Sequence, residues 1–210
     1  PSENELVQTY QVSRATTRQA LDLLAREGLV HKVKGKGTYI TKHRIRYPLT
    51  QLISTTEDLS RRGWKPGVVV LSMQEMDTHE PITESLRLKP REKVYELCRL
   101  RLGNNDPVGL QWAYLPVKIC PGLIDLDLAT SLTNVMAERF GVVFWSAQEF
   151  LRARLPTKFE SDKLHIPKNL PVIYMERITF SPEGKPVEFL QSVWRSDVYE
   201  YVFSLNRSAS

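Results

Sequence analysis

Apolar residues first recur along this chain at helical spacing and later at strand spacing, and the change comes after about forty residues. Ser2 and Glu5 have the spacing of a capping box, and Leu6, Val7 and Tyr10 follow on one face, so a short helix ending near Gln11 is expected. Ser13 is the next cap. Thr17, Ala20, Leu21 and Leu24 fall at i, i+3, i+4 and i+7, which predicts a second helix with a buried stripe, closed by Gly28 in a left-handed turn. Leu29 to Val33 then roughly alternates, Lys34-Gly35-Lys36-Gly37 turns, and Thr38-Tyr39-Ile40 returns as a second strand.

Beyond Pro48 the pattern is one of strands and turns. Strands are expected over Val68–Met76, Lys93–Leu102, Pro107–Leu115, Val142–Leu155, Pro171–Phe180 and Pro186–Trp194, with hairpin turns at Gly103-Asn104-Asn105-Asp106 and Ser181-Pro182-Glu183-Gly184. Helices are expected near Thr55–Arg62, Pro81–Leu88, Ser131–Phe140 and Lys158–Leu164. Hairpins imply an antiparallel sheet with helices on one side, an α+β domain. There is also an internal echo at an offset of 78 residues. Leu86 meets Leu164, Leu88 meets Ile166, Val94 meets Val172 and Arg99 meets Arg177, and each copy's second strand opens with Pro-Val (Pro107-Val108, Pro186-Val187). Two copies suggest a pseudo-twofold sheet with a cleft where they face each other; two unrelated, ordinary hairpins are the other reading. The resulting division is 1–42 as a small module, 43–50 as a basic, aperiodic connector, and 51–210 as a second domain.

Charge sharpens this division. Residues 1–46 hold nine Lys and Arg against four Asp and Glu, while the rest of the chain holds twenty of each, so the whole net charge of +5 sits in the first fifth of the chain. A local basic excess attracts polyanions by releasing their counterions. The 210 residues, 41% hydrophobic, suffice for one small domain and one of ordinary size. No apolar run nears the ~18 residues that span a bilayer. Cys98 and Cys120 stand far apart, and His31, His43, His79 and His165 are scattered, so no metal or cofactor site is expected. No signal peptide is recognisable, and a reduced, cytoplasmic protein follows. A phosphate-cradling P-loop is excluded, because no G-x-x-x-x-G-K-[ST] precedes a helix. The chain opens at a helix cap, as if an earlier piece precedes it.

Arg14, Ala15, Arg18, Gln19 and Asp22 lie off the apolar stripe of the second helix. Small side chains and arginines in its first turns suit close approach to a major groove, and lysines at a ribbon tip can reach phosphates. An ordinary amphipathic surface helix remains the other reading of that segment alone. The order P-S-E-x-E-L, V-S-R-x-T-x-R-Q-A-L, E-G-L and G-K-G-T resembles the winged helix-turn-helix of the GntR family of bacterial transcription regulators, over residues 1–41. The resemblance implies DNA contacts from Ser13, Arg14, Thr16 and Arg18 on the recognition helix, and from Lys34, Gly35, Lys36 and Gly37 on the wing. Asn4 stands where family members often have Arg, and Ala15 where a polar residue is common, which bears on the bases read. The family's first helix, before the capping box, is missing from this sequence.

Arg99 and Arg101 share parity on one strand and so point to one face, where two guanidinium groups call for an anion. Cross-strand pairing of Arg99 with Glu96, Glu176 or Glu188 is the alternative. STTEDLSRRGWKP, R-L-R with its hairpin to Y-L-P, TSL before a helix, and P-V-E-F-L-Q-S-x-W-R-S-D-x-Y resemble UTRA, the effector domain of the HutC branch of that family, with a chorismate-lyase-like fold, over about residues 50–203. The resemblance implies an effector whose anionic group lies near Thr56, Arg99, Arg101 and Ser131. Its polar specificity groups would lie near Gln111, Arg152, Glu188 and Trp194. Gln111 stands where acidic residues are frequent and Trp194 where Tyr is frequent, so the ligand is expected to differ from the phosphorylated sugars that many members sense. Taken together, the expectation is a homodimeric repressor that binds double-stranded operator DNA, with no role for a membrane, and answers to a small anionic effector, a sugar phosphate or carboxylate. A chorismate-lyase-like enzyme fused to a nucleic-acid module is the alternative, against which no nucleophile–base pair, metal triad or cofactor loop is visible. RNA binding is opposed by the lack of an aromatic stacking stripe beside the basic segment.

Overall fold

The computed structural model describes residues 2–26, 30–33, 37–40, 45–48 and 52–202. The chain forms two compact units, Pro1–Arg44 and Ile45–Ser210. In the first, α1 (Glu3–Tyr10) opens with the expected capping box: Glu5 N–H donates to Ser2 Oγ at 3.3 Å, and Ser2 N–H donates to Glu5 Oε2 at 2.6 Å. Gln11 ends α1 in the left-handed region (φ 52°) and turns the chain into α2 (Arg14–Arg26). Strands β1 (Val30–Val33) and β2 (Gly37–Ile40) pair antiparallel, Val33 opposite Gly37. Of the stripe expected on α2, Thr17 and Leu21 are buried and Leu24 half-buried, but Ala20 is exposed, as is Tyr10 on α1. Two helices packed on each other shield only one stripe of each. Gly28, expected to close α2, lies outside the described residues.

The second unit is built on a six-stranded antiparallel sheet in the order β4-β5-β6-β9-β8-β7. Its strands are β4 (Pro66–Asp77), β5 (Lys93–Gly103), β6 (Asp106–Pro116), β7 (Ser146–Arg154), β8 (Val172–Phe180) and β9 (Pro186–Arg195). Helices α3 (Thr55–Arg61), α4 (Ile82–Ser85), α5 (Leu132–Phe140) and α6 (Lys158–Leu164) fall between them, so α3-β4-α4-β5-β6 is repeated as α5-β7-α6-β8-β9. β6 pairs with β9 at the centre, which places the two hairpins of the echo symmetrically about the β6–β9 seam. The turn between β5 and β6 is Asn104-Asn105, both at positive φ (53° and 70°), where Asn is among the few residues tolerated.

Helices cover both faces of the sheet, not one. Leu132 and Met136 of α5 pack with Leu97, Ala113, Met175 and Leu190 on one face. Ile82 of α4 and Leu86, which follows it, pack with Val94, Tyr114 and Phe189 on the other, where Leu164 of α6 meets Leu110, Val172 and Val193. The central strands are accordingly buried on both sides, and their sequences read as near-continuous apolar runs instead of alternating ones. Within the expected connector, Ile45–Pro48 forms β3, parallel to β10 (Tyr199–Val202), and Ile45 is fully buried beside Leu59, Trp194 and Tyr199. No helix of the described residues is long and apolar enough to cross a membrane.

Candidate nucleic-acid interface and effector site

At the head of α2, Ser13 caps the helix. Thr16 N–H donates to its Oγ at 3.1 Å, and the two hydroxyls lie 2.9 Å apart, so Ser13 and Thr16 engage each other at the helix tip. Arg14, Thr16 and Arg18 are exposed. Arg18 Nε is tied to Glu3 Oε2 of α1 at 3.1 Å, while most of the Arg18 side chain stays exposed. Glu3 was not foreseen from the sequence; its only signal was the acidic first turn of α1. Gly37 begins β2 at φ 115°, a conformation suited to glycine. Lys34, Gly35 and Lys36 lie outside the described residues.

In the second unit, strand pairing sets Arg101 beside Gly109 and Trp194, and Arg99 beside Gln111 and Ser192, across β5, β6 and β9. Directly paired residues share a face, so Arg99, Arg101, Gln111 and Trp194 line the side covered by α3 and α5. Arg99 and Arg101 are 4% and 2% exposed. Arg101 Nη2 donates to Thr56 Oγ1 at 2.8 Å, Arg99 Nη1 to the Thr130 carbonyl at 3.3 Å, and Gln111 Nε2 to Thr55 Oγ1 at 3.4 Å. Thr56 belongs to the first turn of α3, and Ser131, next to Thr130, caps α5 by accepting from Asn134 N–H. Two helix starts thus meet two arginines.

Among the described residues neither arginine forms an ion pair. Arg99 Nε, Arg101 Nε, Ser192 Oγ and Trp194 Nε1 are buried without a hydrogen-bond partner. Desolvation lowers the pKa of Arg99 to about 10, offset in part by Glu188, and that of Arg101 to about 9, with Arg99's charge adding to the effect. A neighbouring cluster on the same face is arranged differently. Arg177 lies 3.4 Å from Glu149 and 3.8 Å from Glu188, and Thr179 donates to Glu188 Oε2 at 2.8 Å. Burial raises the Glu149 carboxyl, with Arg177 opposing. Glu188 therefore serves Arg177 and Thr179 at close range and Arg99 only through space, while Glu96 and Glu176 lie on the opposite face.

Of the residues expected at this site, Thr56, Arg99, Arg101, Gln111, Ser131, Glu188 and Trp194 come to one face. Arg152 does not: on β7 it has the opposite parity to Glu149, is exposed, and pairs with Glu176 at 3.2 Å. Thr55, Glu149, Arg177 and Thr179 were not foreseen, although the echo that matched Arg99 to Arg177 pointed to one of them.

A helix-turn-helix with a two-stranded ribbon, followed by a domain with buried, unpaired polar groups, is the plan of a ligand-controlled DNA-binding regulator. Comparison with known proteins agrees. Residues 1–40 match the bacterial regulatory proteins of the gntR family, and residues 61–200 match the UTRA domain. The chain is similar to the HTH-type transcriptional repressor NagR of Bacillus subtilis, 30% identical over 207 residues, covering 99% of this chain and 85% of that protein. It is also similar to the Mannosyl-D-glycerate transport/metabolism system repressor MngR of Escherichia coli, 25% identical over 210 residues, covering 100% of this chain and 88% of that one. Among solved structures, PhnF from Mycobacterium smegmatis has the same fold, with a TM-score of 0.78 at 24% identity, over 98% of this chain and 91% of that one. The chain belongs to the gntR family of bacterial regulatory proteins and carries a UTRA domain. It is a DNA-binding transcription regulator controlled by a ligand of its UTRA domain, in a family of regulators and not of enzymes.

Proposed function

We propose that the ligand is a small anion seated between Arg99 and Arg101, and that its binding resets the affinity of a homodimeric, cytoplasmic repressor for operator DNA. One observation carries the choice of anion: two adjacent guanidinium groups, each at least nine-tenths buried, with no carboxylate in ion-pair reach among the described residues. Burying a cation unpaired costs several kcal/mol, on the order of what a well-placed carboxylate or phosphate returns. Thr56, Ser131, Ser192 and Trp194 add neutral donors around the same point. Gln111 and Glu188 border it and suit the hydroxyl groups of a sugar phosphate or hydroxy acid.

On the DNA side, Ser13, Arg14, Thr16 and Arg18, with Lys34 to Gly37, form the reading surface, in keeping with the basic balance of the first 46 residues. A single helix-turn-helix reads one half-site, so a dimer follows from geometry. The open β7 edge, where Phe150 and Leu151 are 45% and 38% exposed, is the kind of surface a second copy covers. Repression is suggested by the names of the relatives NagR and MngR.

The test is a thermal-shift series with inorganic phosphate, sugar phosphates and small carboxylates, read beside operator binding. Arg99→Ala should abolish the anion-dependent shift and leave ligand-free DNA affinity unchanged. Loss of DNA affinity in that variant would make Arg99 a structural residue.

A further inference from the structure

The opposite face of the sheet holds a recess of about 340 Å³ that the anion site does not use. It is lined by Glu96, Trp112, Tyr114, Arg154, Tyr174 and Gln191, with Glu160 beside them. By strand pairing these side chains lie across the sheet from Arg99 and Arg101. Three features decide what it can hold.

The walls are aromatic. Trp112, Tyr114 and Tyr174 contribute rings, and Phe159 of α6 tilts against Trp112 at 6.3 Å. The strong donors are spent. Arg154 gives Nη1 and Nη2 to the two Glu160 oxygens at 2.7 Å each, gives Nη1 also to the Leu155 carbonyl, and stacks over Tyr174 at 4.7 Å. The Tyr174 hydroxyl donates to Glu176 at 2.9 Å. Burial, with Glu176 beside it, raises the Tyr174 phenol to about 12, and burial with the nearby Glu96 raises Tyr114 further, so both stay protonated. One carboxylate stands without an ion pair. Arg154 and Glu160 cancel, Arg152 pairs with Glu176, and Glu96 accepts from Gln74 at 3.1 Å but, among the described residues, forms no ion pair, with Lys163 held further off beside the Phe159 ring.

What remains unspent is acceptor capacity on an aromatic floor beside a half-exposed carboxylate that forms no ion pair among the described residues. An anion is repelled by Glu96, and a neutral ligand forgoes its attraction. We propose that this recess binds a small organic ammonium ion, its N–H groups on Glu96 and the phenol oxygens and its aliphatic body against Trp112 and Tyr174. Aromatic faces attract such a cation, and the adjacent carboxylate adds direction. Because the sheet separates the two sites, the ammonium and the anion can be bound together.

The full chain is titrated with n-butylammonium chloride, n-butanol and sodium butyrate, reading melting temperature and tryptophan fluorescence. The expected result is a saturable response to the ammonium, at least tenfold weaker for the alcohol and absent for butyrate, with the fluorescence change missing in Trp112→Phe. Glu96→Gln should weaken the response at least tenfold, and Arg101→Met should leave it intact. Butanol matching butylammonium, no saturable response, survival of the response in Glu96→Gln, or its loss in Arg101→Met would each overturn the proposal. Should Glu96→Gln fail to fold, the comparison of ammonium with its neutral isostere on the unaltered protein decides the matter.

Discussion

Replacing Arg101 by Met asks whether the anion site stores a charge that only a ligand relieves. Desolvation, aided by the like charge of Arg99, lowers Arg101 from its ordinary value to about 9. Each factor of ten in proton affinity is about 1.4 kcal/mol, so keeping this guanidinium charged and buried costs on the order of 4–5 kcal/mol as an upper bound. Methionine of similar length fills the space without the charge, but loses the 2.8 Å bond to Thr56, worth about 1 kcal/mol. Exchanging buried ions for packed apolar side chains stabilises proteins by about 1–4 kcal/mol. We expect a net gain of about 2 kcal/mol, seen as a rise of about 4–8 °C in the Tm of the ligand-free protein.

The assay is thermal denaturation near neutral pH in phosphate-free buffer, repeated with increasing inorganic phosphate. The unaltered protein should gain stability with the logarithm of phosphate concentration, and the Met variant should not. The pH dependence has a definite sign. A cation whose folded pKa lies below its unfolded one burdens the fold fully below the folded value, and the burden lifts as pH rises through it. The advantage of the Met variant should therefore be constant across neutral pH and narrow above about 9. A Met variant that melts below the unaltered protein without ligand would refute the reasoning, because Arg101 would then be a satisfied member of the ligand-free core.

Four further outcomes are expected. Val70 pairs with Arg99 where Glu149 pairs with Arg177, so Val70→Glu should place a carboxylate beside Arg99 and weaken the phosphate-dependent Tm shift at least tenfold in concentration. Burial pushes the Glu160 carboxyl up, but Arg154 and the Thr157 N–H outweigh it and hold it below the usual range; Glu160→Gln should cost about 2 kcal/mol at neutral pH by urea denaturation, a deficit that disappears as pH falls through the carboxylate's folded pKa. A Cβ on Gly109 would clash with the Trp194 ring at Cε3, and that ring is held at 4.4 Å from Tyr199, so Gly109→Ala should destabilise by about 1–3 kcal/mol, again by urea denaturation. Glu3→Gln, which frees the exposed Arg18, should change stability by less than about 1 kcal/mol yet raise affinity for scrambled duplex and lower the preference for a selected operator, measured by fluorescence anisotropy.

The strands and hairpins of the second unit were legible because their turns are chemically explicit: Asn104-Asn105 in one, Pro182-Glu183-Gly184 in the other. The two helices of the first unit were legible for the same reason, through the caps Ser2 and Ser13. Where the reading went astray, packing had overridden local pattern. Val142 and Phe144 extend an apolar run into β7, but they sit in a loop packed on the core, so β7 starts only at Ser146. Ile45–Pro48 and Tyr199–Val202 are four residues each and pair across most of the chain, with no local signal that they meet. Apolar runs such as LQWAYL, buried on both sides, held the clue that helices cover both faces. For the paired guanidinium groups, parity on β5 sufficed to put Arg99 and Arg101 on one face. Arg152 was expected from the resemblance alone, and because β7 is exposed on both faces its sequence holds no burial pattern that would have told one side from the other.

The repeat itself explains how one half of the domain became receptive. At equivalent places the two copies carry Arg99 and Arg177, followed two residues later by Arg101 and Thr179. In the second copy the partners across the strands are Glu149 and Glu188, and the arginine is satisfied internally. In the first copy those places are held by Val70 and Gly109, neither able to accept a hydrogen bond from its side chain. Removing two carboxylates and adding a second arginine turns a closed polar cluster into an open one with surplus positive charge. The cluster's hydrogen bonds then fall to Thr56 at the start of α3 and Thr130 before α5, both weaker acceptors than an anion. If the ligand is the proposed anion, a carboxylate or phosphate would compete for the guanidinium groups that now hold these two helix starts. Its occupancy would then be linked to α3, which follows β3 and the end of the DNA-binding unit along the chain. A ligand shifts a conformational equilibrium only by its preference for one state, and under this proposal the preference has a defined origin: bonds that the arginines would exchange between helix starts and anion.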